Sequence, residues 1–293
     1  MSRRAWGLFA ALSIIWGLPY LLIKVAVVDF SPAQIVFVRT LLGAAVIVPL
    51  VIHQRSLRKL KGVWVWVLAF AALEITGPFW LIGAAEQQVP SSLAAIMIAT
   101  VPMIGAFSAW ALRIDDRVTI TRFVGLIVGF VGVGVLVGFD VRGGSWWAIV
   151  QLLLAAVGYA LAPIIIATKL SKVPSEAVIG VALALNALIF APAALARFEP
   201  AQAVNISWVS WASLIVLGFL CTSIAFILLF RLIAEAGPSR TVVITYLNPV
   251  VAVLLGVVLL SEPLTLGILI GFPLVLLGSI LATSRSKAIG LQT

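Results

Sequence analysis

Long apolar runs alternate with short charged clusters along the whole chain. The clusters recur roughly every 20 to 30 residues, and between them lie stretches such as Val242 to Leu260 that hold no charged side chain. A hydrocarbon core of about 30 Å is crossed by roughly 20 helical residues rising 1.5 Å each, and the runs reach that length. The pattern predicts ten helices. The first five are Trp6 to Val28, Ala33 to Ile52, Val63 to Gly83, Ser91 to Leu112 and Thr119 to Phe139. The second five are Trp146 to Thr168, Ser175 to Ala196, Trp208 to Leu232, Arg240 to Leu260 and Leu264 to Thr283. An open chain in lipid satisfies its backbone N–H and C=O groups only as helix, and the runs lack the alternation of a barrel strand. The first run has over twenty residues and no small-residue cleavage site after it, so it reads as a span and not as a removed signal peptide.

Composition agrees with this all-helical membrane class. Hydrophobic residues make up 63% of the 293, charged residues 10%, and the mean hydropathy is +1.24. A soluble domain carries about 45–50% apolar and about 25% charged residues. With the N-terminus inside, fifteen of the 19 Lys and Arg fall on the cytoplasmic side: Arg3, Arg4, Arg55, Arg58, Lys59, Lys61, Arg113, Arg117, Arg122, Lys169, Lys172, Arg231, Arg240, Arg285 and Lys287. Arg142 and Arg197 alone fall outside, while Lys24 and Arg39 lie within helices. That bias places both termini in the cytoplasm of a bacterial-type inner membrane. The net charge of +9 then belongs to loops lying against anionic lipid headgroups. No loop is long enough to build a nucleic-acid-binding face. Cys221, the single cysteine, reads as a small core hydrophobe.

The two halves repeat each other. Pro90-Ser91 aligns with Pro238-Ser239, Pro102 with Pro249, Asp116 with Glu262, Thr119 with Thr265, Gly125 with Gly271 and Gly132 with Gly278, at offsets that drift only from 148 to 146. Matched Pro, Gly, Thr and acidic positions are hard to obtain by chance in apolar sequence. Five helices per copy is an odd number, so the second copy enters the membrane from the opposite side, as in transporters whose substrate site lies near mid-membrane between inverted repeats. The expected units are residues 1–140, residues 146–285 and a cytoplasmic tail, 286–293.

Those marks, together with Trp16-Gly17, Lys24 and Arg39, make the chain resemble the drug/metabolite transporter superfamily, specifically its ten-helix EamA-type exporters. In that resemblance each repeat has Pro-Ser followed eleven or twelve residues later by proline, then an acidic residue followed nine later by glycine. It implies alternating-access export of amino acids or related metabolites, driven by exchange or a proton gradient without ATP. The superfamily also carries drugs, sugars and nucleotide-sugars.

Ionisable groups inside a membrane cost about 2.5–3.5 kcal/mol on insertion scales and point to function. Glu74 is the deepest, near mid-bilayer. It reads either as a carboxylic acid hydrogen-bonded across a helix interface or as the group that meets a solute amine or takes up a coupled proton. Lys24, one turn from the outer end of its helix, either snorkels to the headgroups or lines a pore. Arg39 reads as a structural ion pair with Asp29 or Glu74, or as a substrate contact. Trp16, Tyr20 and Lys24 share one helix face at spacing i, i+4, i+8. Tyr159, in the corresponding helix of the second repeat, and Trp80 complete the aromatic candidates, against ordinary helix packing. Thr100 before Pro102 and Tyr246 with Asn248 before Pro249 form polar breaks. Asn248 either bonds a substrate carboxylate or bridges two helices. Trp64, Trp66, Trp146, Trp147, Trp208 and Trp211 sit at helix starts as interfacial anchors.

Gly125 and Gly129, Gly134 and Gly138, and Gly267 and Gly271 put small residues on the fifth and tenth helices, which should pair or dimerise. The chain has no metalloprotease, hydrolase or nucleotide-loop motif and a single histidine, His53. No cofactor or metal is expected. A lipid-handling enzyme would have only Glu74 with Lys24 as a catalytic pair. The expected partners are a small-molecule substrate, membrane lipids and, through the glycine faces, a second copy of the chain.

Overall fold

The computed structural model describes residues 2–112, 119–140, 145–196, 205–237, 241 and 243–284, with backbone alone at 139 and 140. Asp116, Pro238 and Ser239 of the repeat, and the loop cations Arg113, Arg117, Arg142, Arg197, Arg240, Arg285 and Lys287, lie outside the described residues. Among the described residues eight long helices and two shorter ones follow one another: α1 Arg3–Ala26, α2 Pro32–His53, α3 Trp64–Glu86, α4 Ser91–Ala111, α5 Ile120–Asp140, α6 Trp146–Lys169, α7 Ser175–Ala196, α8 Trp208–Ala236, α9 Ile244–Leu260 and α10 Leu266–Ala282. Among the described residues eight are long and apolar enough to cross a membrane, and α9 and α10 have 17 residues each.

Short polar residues start and stop these helices. Ser2, Ser31, Ser207 and Thr265 accept the first free N–H groups of α1, α2, α8 and α10, and Gln34 completes a capping box with Ser31. Helix α1 begins at Arg3, ahead of the expected Trp6, and two C-terminal ends run three or more residues past expectation. Helix α8 runs past Leu232 to Ala236 and stops at Gly237, whose φ of 81° closes the last turn. Helix α3 runs past Gly83 to Glu86 because Ala84 and Ala85 favour helix and nothing breaks it before Pro90. That extra turn brings an overlooked carboxyl group, Glu86, into the protein interior.

Polar side chains in the spans mostly bond back to their own helix. Ser13 donates to Phe9 O, Thr40 to Val36 O, Ser213 to Val209 O and Asn186 to Ala182 O. Outward-facing positions are apolar, as at Phe130, Leu188 and Val258. Trp64, Trp66, Trp146, Trp147 and Trp208 are exposed at helix ends, where an aromatic belt sits. Trp211 is not an anchor: it packs edge-on against Phe30, with centroids 4.9 Å apart.

The helix pairs map onto themselves when each helix is exchanged for the one five further on. Helix α5 packs on α10 and α2 on α7, while α1 with α9 and α8 is matched by α6 with α4 and α3. Both self-paired couples are antiparallel. Gly125 lies against Ala282 and Gly278, and Gly132 against Val275 and Gly271; likewise Gly43 faces Leu183, and Gly180 faces Ile47 and Val51. Equivalent helices running in opposite directions are what a duplication inverted across the membrane produces.

Glycine sets the closest of these contacts. A Cβ on Gly278 would lie 2.4 Å from Gly129 N and 2.7 Å from Gly125 O, both backbone atoms that no rotamer change can move. Gly129 also makes room for Met103 of α4, and Gly271 for Leu136, while Gly267 is buried. Gly134 and Gly138 face open space, so the packing face runs through Gly125, Gly129 and Gly132 instead. Gly278→Val is expected to part α5 from α10 at a cost of about 1–3 kcal/mol or more. A lower midpoint of thermal unfolding in detergent checks this, and an unchanged midpoint would refute the packing argument.

Candidate functional site

The central helices α3 and α8, third in their respective halves, each depart from α-helical geometry once. A wider π turn spans Ala72–Thr76 in α3 and Phe219–Ile224 in α8, 147 residues further along, within the offset of the sequence repeat. Such insertions free backbone groups and recur at functional sites. Side chains take up the slack: Thr76 Oγ1 donates to Ala71 O, Thr222 Oγ1 to Leu217 O and Ser223 Oγ to Gly218 O, each five residues back. Counting 1.5 Å per residue from the helix starts puts Glu74 about 15 Å along α3 and Thr222 about 21 Å along α8, so both turns sit near mid-membrane.

Glu74 lies on the first π turn and Thr222 on the second. Close approach of α6 to the first turn depends on Gly158, where a Cβ would be 2.4 Å from Leu73 O. The next residue, Tyr159, is within electrostatic range of Glu74 on one side and Arg39 on the other. Arg39 reaches the second turn: its Nε donates to Thr222 Oγ1 at 2.9 Å, and its guanidinium carbon stands 3.7 Å from the centroid of the Phe79 ring. Tyr20 of α1 is within electrostatic range of Tyr159, Glu86 and Arg39. Tyr159 is thus the group that lies near both Glu74 and Arg39, with Tyr20 near Tyr159 and Arg39.

Two expected ion pairs are not made. Arg39 has no carboxylate within 4.0 Å among the described residues; the ion pair found there is Arg4 with Glu235. Asp29 instead accepts from Ser210 Oγ at 2.6 Å and Ser207 N at 3.3 Å, which caps α8. Lys24 does not meet Glu74. Its ammonium donates to Glu86 O at 2.6 Å and Val89 O at 2.8 Å, tying α1 to the end of α3. Among the described residues Lys24 and Glu74 form no ion pair.

Several other candidates pack or bond within the helix bundle. Trp16 lies edge-on to Phe226 at 6.1 Å. Thr100 is buried and donates to Met97 O, while the carbonyl freed at Ala99 accepts from Ser279 Oγ. Tyr246 bonds Ser279 O and Thr283, joining α9 to α10. Asn248, with its amide nitrogen turned to its acceptors, bridges Ile244 O and Ser13 O at 3.0 and 3.2 Å. Trp80 is 41% exposed on the outside of the bundle, and the interior ring on that turn is Phe79.

On the face away from the termini one carboxylate ties the two halves together. Glu262, just past α9, accepts from Ser91 N at 2.7 Å and Ser92 N at 3.0 Å. These are orphan donors at the start of α4, and a carboxylate there also favours the helix dipole. Ser261 turns left-handed, with φ 55°, to return the chain, and Gly256 leaves room for the carboxylate, since a Cβ there would be 2.6 Å from Glu262 Oε2. A cleft of about 410 Å³ lined by Lys24, Asp29, Ser207, Ser210 and Glu262 opens above this latch. Glu86 is fully buried beside Lys24 and Glu262, with neither carboxyl oxygen hydrogen-bonded among the described residues. Its signal in the sequence is the pair Ala85-Glu86 before Pro90-Ser91, echoed by Ala234-Glu235 before Pro238-Ser239.

Comparison with known proteins places this geometry. The sequence profile of the EamA-like transporter family matches the chain twice, over residues 4–138 and 146–284. The Bacillus subtilis uncharacterized transporter YvbV is 26% identical over 288 residues, 96% of this chain and 92% of that one. The Escherichia coli uncharacterized inner membrane transporter YedA is 26% identical over 264 residues, 89% and 84% of the two chains. A solved crystal structure shares the fold with a TM-score of 0.66 at 21% identity, covering 97% of each chain.

Proposed function

The chain belongs to the EamA-like transporter family and is a multi-pass membrane transporter, and on that premise we propose that it exports amino acids, aromatic or other apolar ones among them, or related small metabolites. The termini face the cytoplasm, as the lysine and arginine bias requires, and the membrane is the inner one, as for the relative YedA. Residues 1–140 and 146–285 act as the two inverted units.

One observation carries this reading. The mid-membrane π turns of the two halves carry unlike groups: a carboxyl with no hydrogen-bond partner among the described residues, Glu74, on one, and on the other a threonine that holds a cation, Arg39, with Tyr159 near both charges. Tyr159 and Phe79 supply the aromatic walls between them. A zwitterion with an apolar side chain complements that set, the ammonium toward Glu74 and the remainder among the rings. The latch of Glu262 on α4 supports alternating access, because it closes the far face by contacts between the two halves that can be made and broken as a unit.

Counterflow in proteoliposomes tests the function. Vesicles preloaded with unlabelled L-phenylalanine or L-leucine are expected to accumulate the labelled form transiently, and the same ligands should raise the thermal midpoint of the detergent-solubilised protein. A panel of amino acids giving neither counterflow nor stabilisation would sink the amino-acid reading.

A further inference from the structure

Arg39 is 7% exposed, seven residues or about 10 Å from the start of α2, where an isolated charge is expensive. A buried guanidinium is normally matched by a carboxylate, since removing one partner of such a pair leaves an uncompensated charge. Here the match is missing among the described residues. Nε is bonded to Thr222, one face of the guanidinium plane is covered by the Phe79 ring, and no side chain of the described residues takes the two terminal nitrogens. The ionisable groups in electrostatic range are Tyr159, Cys221 and Tyr20, all of them neutral as ordinary side chains at neutral pH. What remains is the outer edge of a planar fork, two parallel N–H donors held in place from behind, which is the geometry that takes a carboxylate in two hydrogen bonds.

We propose that Arg39 is the carboxylate receptor of the transport site, so that the solutes carried are carboxylates gripped through both oxygens by its terminal nitrogens. This rests on the amino-acid reading above and sharpens it: Arg39 selects the acid end and Glu74 the amine end. The surroundings of Arg39 fit that role. Thr222 sits on the π turn of α8, so movement of that turn would carry the guanidinium with it. Gly43, one turn along α2, leaves room for the Thr222 methyl, which a Cβ would approach to 2.9 Å, and this keeps the two helices close enough for the Nε bond. A phosphate would ask for more cations than this one, whereas a single carboxylate is neutralised by it.

The test uses the full chain in proteoliposomes with three kinds of probe: L-phenylalanine and L-leucine, their amides, which lack the carboxylate, and 3-phenylpropanoate and 4-methylpentanoate, which lack the amine. Arg39→Gln is expected to cut counterflow of every carboxylate that the wild type carries at least tenfold while leaving the amides within about twofold. Arg39→Lys, which keeps the charge but loses the fork, should fall between, still preferring acid to amide. Equal losses for acids and amides would make Arg39 a structural tie, and undiminished acid counterflow would overturn the proposal directly. A wild type that carries none of the carboxylates overturns it as well. The two readings separate cleanly. If the wild type carries the amine-free acids but not the amino acids, and Arg39→Gln abolishes that, the receptor stands and the amino-acid reading falls. If amino acids are carried and Arg39→Gln does not discriminate, the reading stands and the receptor falls.

Discussion

Glu74→Gln reduces counterflow of L-phenylalanine and L-leucine at least tenfold in the expected outcome, while the protein still elutes and melts as the wild type does. Glutamine has nearly the same shape, so helix α3 and its π turn survive. What is lost is the charge that a solute ammonium meets. A hydrogen bond to a charged group contributes about 1.5–3 kcal/mol, and 1.4 kcal/mol is tenfold in an equilibrium constant. Glu74 takes no hydrogen bond from the described residues, so the substitution breaks no internal tie that would confuse the result. Glu74→Asp, which keeps the charge one methylene further back, should retain part of the activity. Unchanged uptake by Glu74→Gln at every pH would remove this residue from the mechanism.

Glu262→Ala opens the far face. The latch consists of two backbone N–H groups of α4 held by one carboxylate, at 2.7 and 3.0 Å. Its loss removes charge-assisted bonds of about 1.5–3 kcal/mol each, enough to shift a two-state equilibrium more than tenfold. Ser92 is the reporter position, because it is fully buried and its hydroxyl has no partner among the described residues. With Cys221→Ser and Ser92→Cys in the same chain, a maleimide should label detergent-solubilised protein slowly when Glu262 is present and at least tenfold faster in Glu262→Ala. Equal labelling rates in two variants that elute alike would show that the carboxylate does not hold the face shut. Glu262→Gln, which keeps one acceptor oxygen, should lie between them.

Much of the architecture was legible before any coordinates. Span positions and the duplication follow from consecutive residues, because hydropathy acts within a few positions of the chain, whereas the capping roles of Ser2, Ser31, Ser207 and Thr265 came only with the structure. Hydropathy sets the end of a span only loosely, whereas the helix continues toward the next breaker, and Glu86 lies in such an added turn of α3. The candidate site was only half legible. Glu74, Tyr20, Tyr159 and Arg39 are conspicuous as polar groups in lipid, yet Thr100, Tyr246 and Asn248 look the same, and these bond within or between helices. A sequence shows that a polar group is buried in a span but not which acceptor lies within 3 Å of it. Nothing local marked the π turns either, since a wider turn depends on the side chains and neighbouring helices that take up its free carbonyls.

The sharpest division runs through the repeated motif itself. The sequence alone determined that each half carries Pro-Ser at one helix start and an acidic residue before a later helix, at nearly constant offset. Only the tertiary structure decided that the acid of the second half, Glu262, closes on the Pro-Ser helix of the first, 171 residues away. The same holds for Arg39, whose charge is plain in the sequence and whose unmatched edge is not. Insertion into lipid is governed by the free energy of transferring each run, a property that adds up along the chain. Pairing across the bundle is governed by how antiparallel helices turn and how closely glycines let them approach, and that is fixed only when all ten pack together.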